Sequence, residues 1–420
     1  MSKTTPVTKT HGEHDTDWLT VEQARERMCN HAPLIAGFER VAIRHGLHRI
    51  LAEDVISPLN VPPYDNSAMD GYAVRAADIA SSGETALNVI GTSFAGTPFA
   101  GEVNAGETVR IMTGAKLPTG ADTVIMQEQV QRTGDAITIE SDHRQGQNVR
   151  YIGEDIQQGG PALHAGKKIG PAELGLLASL GIPEVTVRRK LRVAFFSTGD
   201  ELRAVGEQLG EGQIYDSNRY TLYGMLTQLG VDLLDMGVIP DDRSAVENAF
   251  STAAELADVL ITSGGVSVGE ADFVKETLEK LGEVNFWKIS MKPGKPFAFG
   301  KVEQASFFGL PGNPVSVMAA FYQLVLPALR RMMGQEQSEP LTVKVACKSM
   351  LKKRPGRTDF QRGILMRDDK GEMVVDGSGM QASHILSGMS RANCFIVLPA
   401  ESGNVEAGTL VDVQPFEGFF

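Results

Sequence analysis

The stretch RVAFFSTGDE, residues 192–201, decides the fold. A buried-type apolar run ends abruptly in a glycine-bearing polar loop, as a parallel strand does at its carboxyl end. The pattern recurs in DVLITSGGVSVGEAD (258–272) and in SFFGLPGNPVS (306–316). Between and around these runs lie segments of helical spacing. SNRYTLYGMLTQLG (217–230) has Asp216 or Ser217 as its cap and Gly230 as its end; DRSAVENAFSTAAELA, ADFVKETLEKLG and VSVMAAFYQLVLPALRRMM follow. With VDLLDMGVI and VNFWKIS as further strands, the alternation predicts a doubly wound, mostly parallel sheet over residues 190–335.

The flanks differ in character. TDWLTVEQARERMCNHA has helical spacing, with Trp18, Val21, Ala24 and Met28 on one face, Thr20 as N-cap and Gln23 completing a capping box. Residues 86–150 hold short β-rich runs separated by glycines, which predicts a small β domain. PAELGLLASLGI (171–182) reads as a helix that ends at Gly181. Beyond the linker Gln335–Pro340, the runs TVKVACKSM, FQRGILMR, EMVVDGS, CFIVLPA and TLVDVQPF predict a small C-terminal β barrel or sandwich. The expected division is a disordered tail (1–16), a mixed, discontinuous N-terminal domain (17–60 and 156–189), an inserted β-rich domain (61–155), the doubly wound domain (190–335) and a C-terminal β barrel (340–420).

Composition narrows the function classes. The 420 residues carry a formal net charge of -12, which argues against nonspecific nucleic-acid binding. Local lysines and backbone N–H groups still suit small anions. Three widely spaced cysteines form no CxxC pair, so neither a disulfide framework nor a cysteine-rich zinc site is expected, and a reducing cytoplasm fits. No run approaches the length of a membrane span, and the polar first residues lack a signal-type apolar core. The eight histidines are scattered, and HExxH and Walker A patterns are absent.

In open α/β sheets, ligands bind beyond the carboxyl ends of the strands. Three glycine-bearing loops gather there. Each alone is readable as a structural turn; together, SGGVSVG offers N–H groups and hydroxyls for an oxyanion, and the helix opening near Asn313 adds a positive dipole end. Asp200, Glu201, Glu270 and Asp272 face the same region, where carboxylates suit Mg2+, although Asp272 also serves as a helix cap in the plainer reading. Lys288, Lys292 and Lys295 fall within eight residues, and Pro-Gly-Lys-Pro fixes the backbone around the last. That favours a positioned anion site over solvated lysines. Pro62–Ala73 is read as a turn-rich loop, and Ile111–Ala115 and Arg150–Asp155 have no unique reading.

In this order, PPYDNSAMDGYAV, IMTGAKLPTGADTVIMQE, STGDEL, GQIYDSNR, SGGVSVGEADF, KPGKPFAFG and GLPGNPVS resemble the molybdopterin molybdenumtransferases of MoeA type, which are related to the C-terminal domain of gephyrin. The resemblance covers residues 17–420. It implies a homodimer with the active site between the doubly wound (molybdopterin-binding type) domain of one subunit and the N-terminal half of its partner. It further implies insertion of molybdenum from molybdate into adenylated molybdopterin, Mg2+ dependence and AMP release; a contact with the molybdopterin adenylyltransferase would follow. By motif, Asp65, Thr113 and Asp155 would come from the partner side. Glu201, Asp241 and Asp272 would hold Mg2+ and position the anhydride. Lys288, Lys292 and Lys295 would hold molybdate or phosphate charge. Ser263, Gly264, Gly265 and Ser267 would cradle the pterin phosphate or nucleotide. Pro311 and Pro314 would shape the wall, and Arg362 and Ser383 would reach in from the C-terminal domain.

Two alternatives stand beside this reading. An adenylyltransferase shares the doubly wound domain but is usually that domain alone, and ATP dependence discriminates. A scaffold that keeps the fold would be free to lose Glu201, Asp272, Lys292 and Lys295, which are all present.

Overall fold

The computed structural model describes residues 18–264, 273–336 and 339–419. The 1–16 tail, and Gly265, Ser267, Glu270 and Asp272 of the second loop, lie outside the described residues. The chain forms two compact units. One takes residues 1–39, 48–50 and 187–420; the other takes 40–47 and 51–186.

The first unit is built on a six-stranded sheet in the order Asp232–Ile239, Arg192–Thr198, Val259–Ser263, Ala305–Leu310, Pro296–Val302, Gly282–Lys288. The first four strands run parallel; Pro296–Val302 pairs antiparallel with the fourth, and Gly282–Lys288 pairs antiparallel with Pro296–Val302 in turn. Connection length explains the change. Helices Ser217–Leu229 and Arg243–Leu256 supply crossovers in the parallel half, whereas only Glu303 and Gln304 separate the paired ends Val302 and Ala305, which permits nothing but a hairpin. Val193 through Phe196 are all buried, yet alternate faces. Phe195 joins one core and Ala194 and Phe196 the other, so helices cover both sides.

The helix caps follow their sequence signals. The Asp216 side chain accepts from Arg219 N–H, and Gly230 ends the same helix with φ of 81°. Asp242 caps Arg243–Leu256 in the same way. The long helix expected after Asn313 has three parts: Pro314–Ala320, a wider π-helical turn at Phe321–Val325, and Leu326–Met332. Pro327 has no N–H to donate back into the preceding turn, and the widened turn accommodates it.

Five strands close into a C-terminal barrel: Val343–Cys347, Thr358–Arg367, Met373–Gly377, Cys394–Leu398 and Leu410–Pro415. Thr358–Arg367 pairs with both Met373–Gly377 and Cys394–Leu398, which completes the ring and leaves no open edge in it. The two-residue strand Met291–Lys292 runs parallel to Thr358 and Asp359, and this pairing ties the lysine-rich segment to the barrel. The helix Val21–His31 packs on the same unit, with Thr20 and Gln23 forming the expected capping box. Trp18 departs from the expected apolar face: it is 43% exposed, while Val21, Ala24 and Met28 are buried.

The second unit carries its own six-stranded sheet, in the order Thr123–Met126, Gly71–Val74, Glu107–Ile111, Glu84–Ser93, Ala136–Glu140, Val130–Thr133. Gly71–Val74, read from sequence as the end of a turn-rich loop, is an inner and wholly buried strand. A Cβ at Gly71 would stand 2.0 Å from the Ile125 carbonyl oxygen, so glycine there serves close strand approach as well as the turn before it. The helix Pro171–Ser179 starts with proline, and Gly181 follows it at φ 67°. Among the described residues no helix is long and apolar enough to cross a membrane.

Candidate active site

The parallel register of the first unit sets three strand ends level: Ser197 pairs with Ser263, and Ser263 with Leu310. The loops that leave them must therefore crowd one edge. Gly264 has φ of 90°, and a Cβ there would lie 2.9 Å from the Thr198 carbonyl oxygen. Only glycine fits that position without strain. Gly264 N–H donates to Leu310 O at 3.2 Å. Asn218, at the start of its helix, donates from Nδ2 to Ser263 Oγ (2.9 Å) and to Gly312 O (2.7 Å), which locks the second and third loops together.

These loops floor a cleft of about 980 Å³ within the first unit. Glu201 and Asp241 line it as acids; Lys292, Lys295 and Arg357 line it as bases; Asn313, Gln381, Ser383 and His384 add polar groups. Seven residues singled out from sequence thus share one cavity: Glu201, Asp241, Gly264, Lys292, Lys295, Pro311 and Ser383. Others are nearby in a different capacity. Ser263 is 2% exposed, with its hydroxyl engaged by Asn218. Pro314 is the first residue of its helix. Arg362 is fully buried and donates from Nη2 to the carbonyls of Met380 (2.6 Å) and Ala382 (3.2 Å), so it shapes the loop that presents Ser383. Val315 N–H donates to Ser383 O at 3.1 Å, fixing that loop to the helix start. Lys288 is exposed at the outer antiparallel strand, opposite Pro296, and is not among the cleft-lining residues.

Both acids and bases line the cleft. Burial, then the negative charges of Asp200 and Glu201, push the Asp241 carboxyl above the usual carboxylate range. Asp241 N–H also donates to Asp200 Oδ1 at 3.2 Å. A cation would relieve this repulsion. Among the described residues no three acidic, histidine or cysteine side chains are close enough to hold a metal by themselves. Mg2+ commonly uses one or two carboxylates and completes its shell with water and substrate phosphate, so Glu201 and Asp241 fit it. Lys292 Nζ lies 3.0 Å from Asp359 Oδ2, a carboxylate only 4% exposed in its side chain. Lys295 Nζ lies 4.7 Å from the centroid of the Trp18 ring.

Asp65, Thr113 and Asp155 belong to the second unit, where the structure interleaves their three motifs. Asp65 O accepts from Leu117 N–H, and Asp65 Oδ1 from Ile152 N–H at 2.7 Å. Thr113 donates from both N–H and Oγ1 to Asp70 Oδ1, each at 2.7 Å, and these bonds hold the Asp70 carboxyl below its usual range. Asp155 N–H donates to Val61 O at 3.0 Å. Segments 61–70, 112–117 and 149–156 therefore form one braced loop cluster.

Five side chains at or behind the cleft escaped the reading of the sequence: Trp18, Arg357, Asp359, Gln381 and His384. The histidines had been set aside as scattered, yet His384 lines the cleft. Asn218 carried one signal, its place in the GQIYDSNR motif.

Known proteins match this chain along almost its whole length. Residues 19–181 match the MoeA N-terminal region (domain I and II), 194–331 the probable molybdopterin binding domain, and 344–416 the MoeA C-terminal region (domain IV). The chain is 50% identical over 400 residues to a molybdopterin molybdenumtransferase of Haemophilus influenzae, covering 95% of this chain and 98% of that one. It is 36% identical over 368 residues to the molybdopterin molybdenumtransferase of a Nostoc species, covering 86% and 84%. The crystal structure of the molybdopterin biosynthesis moeA protein from Pyrococcus horikoshii superposes with a TM-score of 0.82 at 29% identity, covering 95% of this chain and all of that one. Three domain matches in family order, with identity of this level along almost the whole length, leave one conclusion: the chain belongs to the MoeA-type molybdopterin molybdenumtransferases.

Proposed function

We propose that this protein inserts molybdenum from molybdate into adenylated molybdopterin, with cleavage of the phosphoanhydride and release of AMP. The observation that carries the reading is one cleft lined by Glu201 and Asp241 together with Lys292, Lys295 and Arg357. Both reactants are oxyanions, and both need their charge offset more than they need a covalent nucleophile. The lysines and Arg357 bind the molybdate and phosphate oxygens. Gly264 and Pro311 let the substrate approach the backbone closely. Ser383, on the loop fixed by Arg362 and Val315, offers a hydroxyl to an oxygen of either substrate. Insertion forms two Mo–S bonds to the dithiolene as one molybdate oxygen leaves with the two thiol protons as water, and molybdenum keeps its oxidation state; cleavage consumes one water, as a P–O bond of the anhydride breaks and AMP and the pterin phosphate share the new oxygen and protons. Glu201 and Asp241, together with Asp272, would hold Mg2+, which supplies charge neutralisation at the anhydride oxygens.

We also propose a homodimer in which Asp65, Thr113 and Asp155 complete the partner's cleft. The resemblance supports this, as does the gathering of those three motifs into one braced cluster. The test is AMP release from adenylated molybdopterin with and without molybdate and Mg2+. Release that needs both ions and falls at least a hundredfold in Lys295→Ala is expected; a loss of roughly that size corresponds to about 2.7 kcal/mol of lost transition-state stabilisation. Intact substrate left unchanged by the wild-type protein in the presence of both ions would reject the reading.

A further inference from the structure

Behind the lysine wall, a second cavity of about 600 Å³ opens in the first unit. Lys292, Lys352, Lys353, Arg354, Arg357 and Asp359 supply its charged groups. Lys292 and Arg357 also line the cleft, so the two cavities share a wall.

Five cations against one carboxylate is unusual in a chain of net charge -12. Some exposed cations elsewhere are paired, as Lys190 is with Asp232, Lys280 with Glu247 and Lys344 with Asp412. Here the single carboxylate, Asp359, is spent on Lys292 Nζ at 3.0 Å and on Gln361 Nε2 at 3.1 Å. Lys352, Arg354 and Arg357 make no ion pair among the described residues. The floor is fixed. Lys353 is 5% exposed, and its Nζ donates to the carbonyls of Arg354, Ala400 and Ser402 at 3.0–3.4 Å. Asn404 Oδ1 accepts from Lys353 N–H at 2.9 Å. Among the described residues no aromatic ring lines the cavity, so these offer nothing on which a purine or pterin would stack.

We propose that this cavity is a second binding site for a tetrahedral oxyanion, from which the ion reaches the cleft along Lys292 and Arg357. Three cations without an ion pair, Lys352, Arg354 and Arg357, line this one cavity and raise the local concentration of a dianion. Free molybdate and the phosphate of a nucleotide present the same chemistry; the absence of a stacking ring favours the inorganic ion. Molybdate as the physiological occupant rests on the proposed function, whereas the existence of the site does not.

The test is equilibrium dialysis of the full chain against molybdate, with bound molybdenum measured by mass spectrometry. The wild type is expected to hold about two equivalents per chain, at affinities within a few tens of fold of each other. Lys352→Ala/Arg354→Ala, both exposed side chains, should lose one of them, and Lys295→Ala/Ser383→Ala the other. Added AMP should not displace the ion that remains in the Lys295→Ala/Ser383→Ala variant. A wild type holding a single equivalent that is lost only with Lys295 and Ser383 overturns the second site and leaves the cleft assignment standing. Unchanged binding by the Lys352→Ala/Arg354→Ala variant also overturns it. Displacement by AMP would assign the cavity to nucleotide phosphate and reject the inorganic ion. Circular dichroism establishes that each variant is folded.

Discussion

The cleft depends on side chains that hold other side chains. Under the proposed function Lys295 carries charge for an oxyanion, and Trp18 sets where that charge sits, with its ring centroid 4.7 Å from Nζ. A partly exposed cation–π contact is worth roughly 0.5–1 kcal/mol. Trp18→Ala is therefore expected to raise the KM for molybdate about two- to fivefold with kcat little changed, and Trp18→Phe to recover part of the loss. Steady-state rates against molybdate concentration check this. Lys292 is held in another way, by the buried carboxylate of Asp359. The lysines themselves were legible in the sequence because Pro-Gly-Lys-Pro marks a fixed backbone. Trp18 and Asp359 were not. They lie 277 and 67 positions away from the lysines they hold, and no local periodicity reports a contact of that span.

At the scale of elements, the cleft exists because three parallel strands end in register and one short strand, Met291–Lys292, crosses to the barrel. The alternation of apolar runs and capped helices made the parallel sheet readable. The two-residue crossing was invisible, since it is too short for any pattern, and with it went Arg357. The inner strand Gly71–Val74 was hidden for a different reason: the preceding turn formers dominate its local sequence. The start of the central strand is braced by Asp258, which accepts from Arg189 Nη1 and Nη2 at 2.7 Å each and from Arg192 N–H at 2.9 Å. Burial works to raise the Asp258 carboxyl; the Arg189 hydrogen bonds and charge outweigh it and hold it below the usual range. A lowered folded pKa gives stability that is present above the unfolded value and lost as pH falls through the folded one. Acid should therefore weaken this brace. Asp258→Asn is expected to cost about 1–3 kcal/mol near neutral pH and to flatten the acid limb of the stability profile, as read by urea unfolding across pH.

For the whole molecule, the two compact units divide the labour. The first holds the cleft and the basic cavity, and the second holds the braced motifs around Asp65, Thr113 and Asp155. If each cleft is completed by the partner subunit, two inactive variants should rescue one another. Mixing Asp65→Ala with Lys295→Ala and allowing subunits to exchange should restore about one quarter of wild-type AMP release, because half of the dimers then carry one intact site. Absence of rescue after demonstrated exchange would place the whole site within one chain. The most direct measurement is the ratio of molybdenum bound in the pterin product to AMP released, in a single turnover with molybdate and Mg2+. A ratio of about one is expected of a transferase, since the anhydride is cleaved as the metal is inserted. AMP released with no molybdenum in the product would show a hydrolase, and would contradict the transfer of molybdenum in this cleft.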